Sequence, residues 1–280
     1  MPRTARESIT MIDITPEKIS ALRPARTDAG HKNTFGCALI LAGSRYMPGA
    51  LTLSVSAALR SGAGLVKGIS TDEALDVLKV NCPCALTGKA SIEEIEATRY
   101  TAAAIGPGLV PEEVQNEEML ACLIEKAPSL VIDAGALSII ANDKDGYKDL
   151  LKARQVPAVL TPHIGEFKRF EHEDLRGFSG TFGVITVLKD SSVKIQDKAG
   201  ECYSIDMPNS GMAKGGSGDV LTGLITGFLA QGMAPLDAAV AGVWFHQRAG
   251  MFAAGEEGKR FMLPTDTINH LKDAFKEANW

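Results

Sequence analysis

The chain has 280 residues, 45% hydrophobic and 22% charged, the composition of a globular protein that buries a full core. Its formal net charge is -5 and its pI about 5.6, so it offers no broad positive field to DNA or RNA. No run approaches the roughly 18 apolar residues of a membrane span, and the opening "MPRTARESITMIDITPEKIS" lacks the apolar stretch of a secretory signal. The expectation is a cytoplasmic protein with neither nucleic acid nor membrane as partner.

A first helix is expected near "TPEKISALR", with Thr15 as N-cap and Pro16 at the first helical position. "GCALILAGS" (36–44) is a short apolar run ending in glycine and serine, which predicts a buried strand. "GALTLSVSAALRSGAG" (49–64) has helical spacing and closes at Gly62. A second strand, "GLVKGIS" (64–70), and a helical "ALDVLK" (74–79) follow. "CPC" (82–84) lacks the spacer of a zinc knuckle, and the odd total of five cysteines argues for reduced thiols rather than a disulfide framework.

"AAAIGPG" (102–108) predicts a strand running into a turn, and "PEEVQNEEMLACLIEKA" (111–127) a helix with Pro111 at its start. "LVIDAGAL" (130–137) reads as strand, acid and helix start, a plan repeated by "AVLTPHIGEF" (158–167). "GVITVLKD" (183–190) is another strand, and "SVKIQD" with "GECYSI" predicts a hairpin. Helices are expected over 218–231, 235–254 and about 265–278, the last capped by Thr265 and Asp266. Continuously apolar strands alternating with helices predict an α/β fold, a mostly parallel sheet covered on both faces, in one domain over 1–280.

Ligands bind beyond the carboxyl ends of such strands. Glycines or polar residues stand at several of those ends: Gly43 and Ser44, Gly106 to Gly108, Asp133, Thr161 to Glu166, and Lys189. "NSGMAKGGSGDVLTG" (209–223) then sets five glycines, a lysine and an acid ahead of an apolar helix. Gly215, Gly216 and Gly218 are expected to take positive φ and turn backbone N–H groups inward, with Ser217, where the new helix's free amides face the same spot. The pattern is neither a P-loop nor a dinucleotide fingerprint. Asp219 could simply complement the helix dipole. Beside an anion hole, an acid can also accept the proton of a substrate hydroxyl while a phosphoryl group is transferred to it.

"GGSGDVLTG" resembles the GGTGDxLxG signature of the ribokinase-like superfamily. "GSxxMPGA", "ALRSGAGLV", "IGPGL", "LTPHIGEF" and "NSGMAKGGSGDVLTGLITGFLAQG" together resemble the ADP-dependent NAD(P)H-hydrate dehydratases, in that family's order, over about residues 30–255. The resemblance implies a three-layer αβα sandwich. It implies repair of NAD(P)HX, the hydrated form of NADH or NADPH: the S epimer is dehydrated using ADP or ATP with Mg²⁺, through phosphorylation of the ring hydroxyl and elimination of phosphate. Asp219 would be the base. Ala50, Gly108 and His163 would line the hydrated ring. Lys189, Asp190, Ser191, Ser192, Val193 and Gly218 would contact the adenine nucleotide.

The resemblance also implies a homotetramer. An epimerase domain often precedes this unit in the family; residues 1–30 are read instead as an extension packing on the domain, with a separate protein as epimerase. Three positions depart from the family's pattern. Asp190 stands where glycine is usual, Lys214 where threonine is usual, and Gly135 leaves Asp133 alone to help hold a metal. Lys214 is expected to offset the charge of Asp190. Glu166 reads as an ordinary first-turn acid and His246 as a packing residue. Asp133 could cap the following helix, and Lys189 could be a solvated charge. Two other functions use the same features: a kinase of a small alcohol (a thiazole, a pyrimidine or a sugar) and a nucleotide-binding protein without turnover.

Overall fold

The computed structural model describes residues 11–12, 14–110 and 114–280. The elements follow in chain order as β1 (Met11–Ile12), α1 (Pro16–Ala21), β2 (Cys37–Leu41), α2 (Pro48–Arg60), β3 (Leu65–Ser70), α3 (Asp72–Asn81), β4 (Leu86–Lys89) and α4 (Ile92–Ala97). Then come β5 (Ala102–Ile105), α5 (Val114–Lys126), β6 (Leu130–Ile132), α6 (Ala134–Asn142), α7 (Lys144–Lys152), β7 (Val159–Leu160), α8 (Ile164–Arg169), α9 (Leu175–Phe182) and β8 (Ile185–Leu188). The hairpin β9 (Val193–Gln196) and β10 (Cys202–Ile205) leads through a 3-10 turn to α10 (Ser217–Ala230), α11 (Pro235–Glu256) and α12 (Pro264–Glu277).

One ten-stranded sheet runs in the order β1-β10-β9-β8-β7-β6-β5-β2-β3-β4. Only β9 opposes the rest, pairing antiparallel with both β8 and β10. Strand alternation divides the core in two. Ala38, Ile40, Ala102, Ala104, Val131 and Val159 face a layer that includes α2, α10, α11 and α12. Leu39, Leu41, Ala103, Ile105, Leu130 and Ile132 face α5, α6, α7 and α9. The expected three-layer α/β architecture is therefore present. Among the described residues no helix is long and apolar enough to cross a membrane.

Most expected elements stand within a residue or two of their places. Thr15 caps α1, its hydroxyl accepting from Lys18 N–H at 3.4 Å. The start expected at Pro111 lies outside the described residues. α12 begins at Pro264, so Thr265 falls inside its first turn instead of capping it. Asp266 reaches back to accept from Leu263 N–H at 2.7 Å. β1, β4, α4, α7 and α9 go beyond the sequence expectations: β1 has two residues, β4 is a short edge strand, and α4, α7 and α9 are helices of six to nine residues.

One packing detail positions the site. A β-carbon at Gly223 would run into the carbonyl of Ser54, and one at Gly227 into Ser61 and Ala58 of the α2 segment. These two glycines let α10 cross α2 almost backbone to backbone. The close approach brings Ser54 Oγ to the carbonyl of Asp219 at 2.9 Å, which ties the start of α10 to α2.

Candidate functional site

The strand ends expected to carry ligand contacts do meet at one edge of the sheet. Gly106 N–H donates to Leu41 O, Gly43 N–H to Pro107 O, and Gly135 N–H to Gly106 O. Gly106 has φ +131, and a β-carbon there would collide with the carbonyl of Asp133, so β5 and β6 end in direct backbone contact. Ala134 takes φ +46, a strained value for a residue with a side chain, next to the acid that the turn presents. His163 and Lys189 sit side by side in an isolated parallel bridge, with Lys189 N–H donating to Pro162 O at 2.8 Å.

Asp133 occupies the N-cap position of α6 but makes no side-chain cap bond, so it is not a capping residue. Asp133 is 1% exposed, and its carboxylate holds two partners instead. Lys189 Nζ donates to Oδ1 at 2.7 Å, and Thr222 Oγ1 donates to Oδ2 at 2.8 Å. Lys189 is mostly buried and paired, not a solvated loop charge. Thr222 was missed by sequence reasoning. It lies three residues after Asp219, hence on the same face of α10, and a threonine in so apolar a run was a readable signal.

α10 starts with Gly216 as N-cap at φ +99. Of the three glycines expected to take positive φ, only Gly216 does; Gly215 and Gly218 have ordinary backbone. Gly218 serves by lacking a side chain: a β-carbon there would stand 3.3 Å from Lys189 Nζ and 3.6 Å from Asp133 Oδ2. The space between the first turn of α10 and the Lys189–Asp133 pair thus stays open. Ser217 N–H turns back to Lys214 O at 3.3 Å, and Val220 N–H to Gly216 O, which leaves the amides of Gly218 and Asp219, with the positive end of the helix dipole, for a ligand.

Asp219 is partly buried in that first turn, and no described side chain donates a hydrogen bond to its carboxylate. Burial, with the like charge of Asp133, pushes its pKa up to about 6, against the lowering effect of Lys189. A carboxylate tuned near neutrality, without a donor of its own, is suited to accept a proton from a hydroxyl. His246, on α11, is buried as a packing residue should be, yet its Nε2 lies 3.4 Å from Ser217 Oγ. Burial lowers its pKa to about 4, the bond to Ser217 opposing and Lys189 adding to the shift. At neutral pH it is uncharged and supports the first residue of α10 without adding a cation.

Ala50 and Gly108 form a second, adjoining cluster. A β-carbon at Gly108 would lie 2.7 Å from Ala50 Cβ and 3.2 Å from Gly43 Cα. His163 caps α8: its Nδ1 accepts from Gly165 N–H at 2.9 Å and Glu166 N–H at 3.3 Å, and Glu166 accepts from His163 N–H at 2.8 Å. Glu166 is therefore the first-turn acid expected. With Nδ1 accepting, the imidazole carries its proton on Nε2, which lies 3.7 Å from Glu166 Oε1.

Other expected residues stand outside this cluster or act differently. Asp190 Oδ1 accepts from Ser191 N–H at 2.7 Å, a local turn, and Ser192 Oγ pairs with Ser204 Oγ at 3.1 Å. Val193 is buried at the start of β9. Lys214 does not offset Asp190: its Nζ donates to the carbonyls of Arg260 and Met262 at 2.9 and 2.6 Å, bracing the loop before α12. A β-carbon at Gly135 would come within 2.6 Å of Leu109 O, so this backbone leaves no room there for a second acid. Among the described residues no group of three histidines, cysteines or acids is placed to hold a metal. The two acids present, one of them already doubly engaged, fit an Mg²⁺ held mainly by substrate phosphates and water.

Among the described residues, buried hydroxyls without partners belong to Thr52, Ser70, Thr71 and Thr161. Three of them stand at the carboxyl ends of β3 and β7, on the edge where the site lies.

A family model described as NAD(P)H-hydrate dehydratase matches residues 38–273. The ADP-dependent (S)-NAD(P)H-hydrate dehydratase of Bacillus subtilis is 33% identical over 94% of this chain and 97% of its own length. The bifunctional NAD(P)H-hydrate repair enzyme Nnr of Moorella thermoacetica is 32% identical over 89% of this chain. This chain spans about half the length of such bifunctional relatives (51% for that protein). A crystal structure of the B. subtilis ADP/ATP-dependent NAD(P)H-hydrate dehydratase, co-crystallised with ATP/Mg²⁺, superposes with a TM-score of 0.82 at 28% identity, covering 94% of this chain and 97% of that one. The hydroxyethylthiazole kinase of Pyrococcus horikoshii, at 13% identity and a TM-score of 0.57, shares the fold alone. The family model and the B. subtilis relative each match most of this chain, and the chain belongs to the NAD(P)H-hydrate dehydratase family.

Proposed function

We propose that this protein dehydrates the S epimer of hydrated NADH or NADPH, using an adenine nucleotide, with Asp219 as the base. The observation that carries the reading is the Asp219 carboxylate, free of donors and with a pKa of about 6, beside the open first turn of α10 and the Lys189–Asp133 pair. The ring hydroxyl gives its proton to Asp219 as its oxygen bonds to the terminal phosphorus of the nucleotide. The phosphorus–oxygen bond to the nucleotide breaks. The carbon–oxygen bond then breaks, phosphate leaving with the electron pair, and loss of a proton from the adjacent ring carbon restores the double bond. Hydroxide is a poor leaving group and phosphate a good one, which is the reason for a nucleotide cosubstrate.

Gly216, Ser217 and Gly218 with the first-turn amides, and Lys189, would hold the transferring phosphoryl group. Thr222 would hold Asp133 in place, and Asp133 would hold Lys189. Ala50, Gly108 and the Nε2–H of His163 would bound the hydrated ring. Mg²⁺ would supply charge neutralisation on the nucleotide phosphates, with Asp133 and Asp219 as the carboxylates nearest to it. Residues 189–193 would run along the nucleotide, with Asp190 in its own turn. A cytoplasmic location, functional pairing with an epimerase of the same metabolite, and a homotetramer complete the reading.

The test is recovery of NADH absorbance from S-NADHX with Mg²⁺ and either ADP or ATP. Recovery that requires one nucleotide is expected; a stable phosphoester of a small alcohol with no action on S-NADHX would favour the kinase reading.

A further inference from the structure

A separate cavity of about 350 Å³ opens at the carboxyl ends of β2 and β3, walled by Gly43, Ser70, Thr71, Asp72, Glu73 and Lys89. Ser70 is 3% exposed, and its hydroxyl has no partner among the described residues. The hydroxyl of Thr71 is likewise unpartnered, although Thr71 holds the N-cap position of α3, where its side chain would ordinarily bond the first turn. Two buried hydroxyls left without acceptors or donors at a cavity wall are unusual in a folded chain.

The cavity adjoins the proposed ring site. A β-carbon at Gly43 would stand 3.3 Å from Ser70 Oγ, and Gly43 is itself in contact with Gly108, which abuts Ala50. Ser70, Gly43, Gly108 and Ala50 thus form one continuous line along the sheet edge. The charge of the cavity is wrong for a phosphate. Asp72 and Glu73 outnumber Lys89, and Asp72 already engages Lys89 at 2.8 Å. Carboxylates accept hydrogen bonds only, so the guest must donate, while serine and threonine hydroxyls do both. Leu41, Leu109 and Met119 supply an apolar wall. A neutral vicinal diol on a furanose ring, whose C–H faces are apolar, matches all three features.

We propose that this cavity receives a ribose of the hydrated dinucleotide, its hydroxyls pairing with Ser70 and Thr71 and donating to the acids that open α3. The inference rests on the substrate reading above. Two riboses share this chemistry, the one on the nicotinamide and the one on the adenine.

The experiment measures kcat and KM for S-NADHX and S-NADPHX with the wild type, Ser70→Ala and Asp72→Asn, together with melting temperatures. Ser70→Ala is expected to raise the dinucleotide KM about fivefold, the effect of one ordinary hydrogen bond, with kcat changed less than about twofold. Its melting temperature is expected to hold or rise, because the hydroxyl it removes has no partner among the described residues. A structural serine would instead lower it. If the adenine ribose sits here, Asp72→Asn raises kcat/KM for S-NADPHX relative to S-NADHX, since a carboxylate repelling the 2′-phosphate is gone. If the nicotinamide ribose does, both substrates weaken together. Unchanged KM for both substrates in Ser70→Ala, or a lowered melting temperature with lowered kcat, overturns the proposal. A wild type that recovers neither reduced dinucleotide overturns the substrate reading itself.

Discussion

Replacing Asp219 by asparagine should raise stability while removing activity, and the gain should depend on pH. The carboxyl pKa moves from 3.8 to about 6 on folding, chiefly through burial and then through Asp133. Between these values the folded protein holds a proton that the unfolded chain has released. Wild-type stability from this group is therefore greatest at low pH and is lost as pH rises through about 6. The shift of about 2 units corresponds to about 3 kcal/mol in full. Linkage places about 2 kcal/mol of it between pH 4.5 and 7.5. Asparagine cannot titrate, so urea unfolding of Asp219→Asn against the wild type should show an advantage about 2 kcal/mol larger at pH 7.5 than at 4.5. An advantage equal at both pH values would refute the claim that the fold holds this carboxylate against its own preference. The same variant should lose about two to four orders of magnitude in kcat, the usual share of a general base.

Three further outcomes follow from the same geometry. The acid limb of kcat/KM for the wild type should fall near pH 6, and Lys189→Met should move it upward, because Lys189 is what lowers the Asp219 pKa; a limb that stays in place would contradict the pairing. Gly218→Ala should keep or raise the melting temperature, alanine being favoured over glycine in a helix by about 1 kcal/mol. It should also depress turnover, since the methyl group would enter the space 3.3 Å from Lys189 Nζ. Thr222→Val should cost about 1–3 kcal/mol in chemical unfolding, because a buried oxygen of Asp133 loses its donor.

The sheet and the cleft were legible because the strands are continuously apolar and end in glycine, acid, histidine or lysine. Periodicity fell short where elements are short: β1, β4 and α4 have two to six residues, and α7 and α9, although amphipathic, have only nine and eight. Asp219, Asp133 and Lys189 could be named from the chain, but not their pairing, which depends on three elements meeting. The glycines illustrate the limit well. Gly216 is needed for its backbone angle, Gly218 for the absence of a side chain, and Gly223 for the approach of α2. One letter stands for three physical reasons, and only the fold distinguishes them. Lys214 misled because charge compensation requires proximity, and its ammonium is spent on two carbonyls of a different loop.

The central claim is that phosphoryl transfer onto the ring hydroxyl, with Asp219 taking the proton, drives dehydration. The most direct measurement counts NADH recovered, phosphate released and nucleotide consumed in one reaction on S-NADHX, for the wild type and Asp219→Ala. The account predicts a one-for-one-for-one ratio in the wild type and the loss of all three in the variant. NADH formed without matching phosphate, or undiminished in Asp219→Ala, would contradict it.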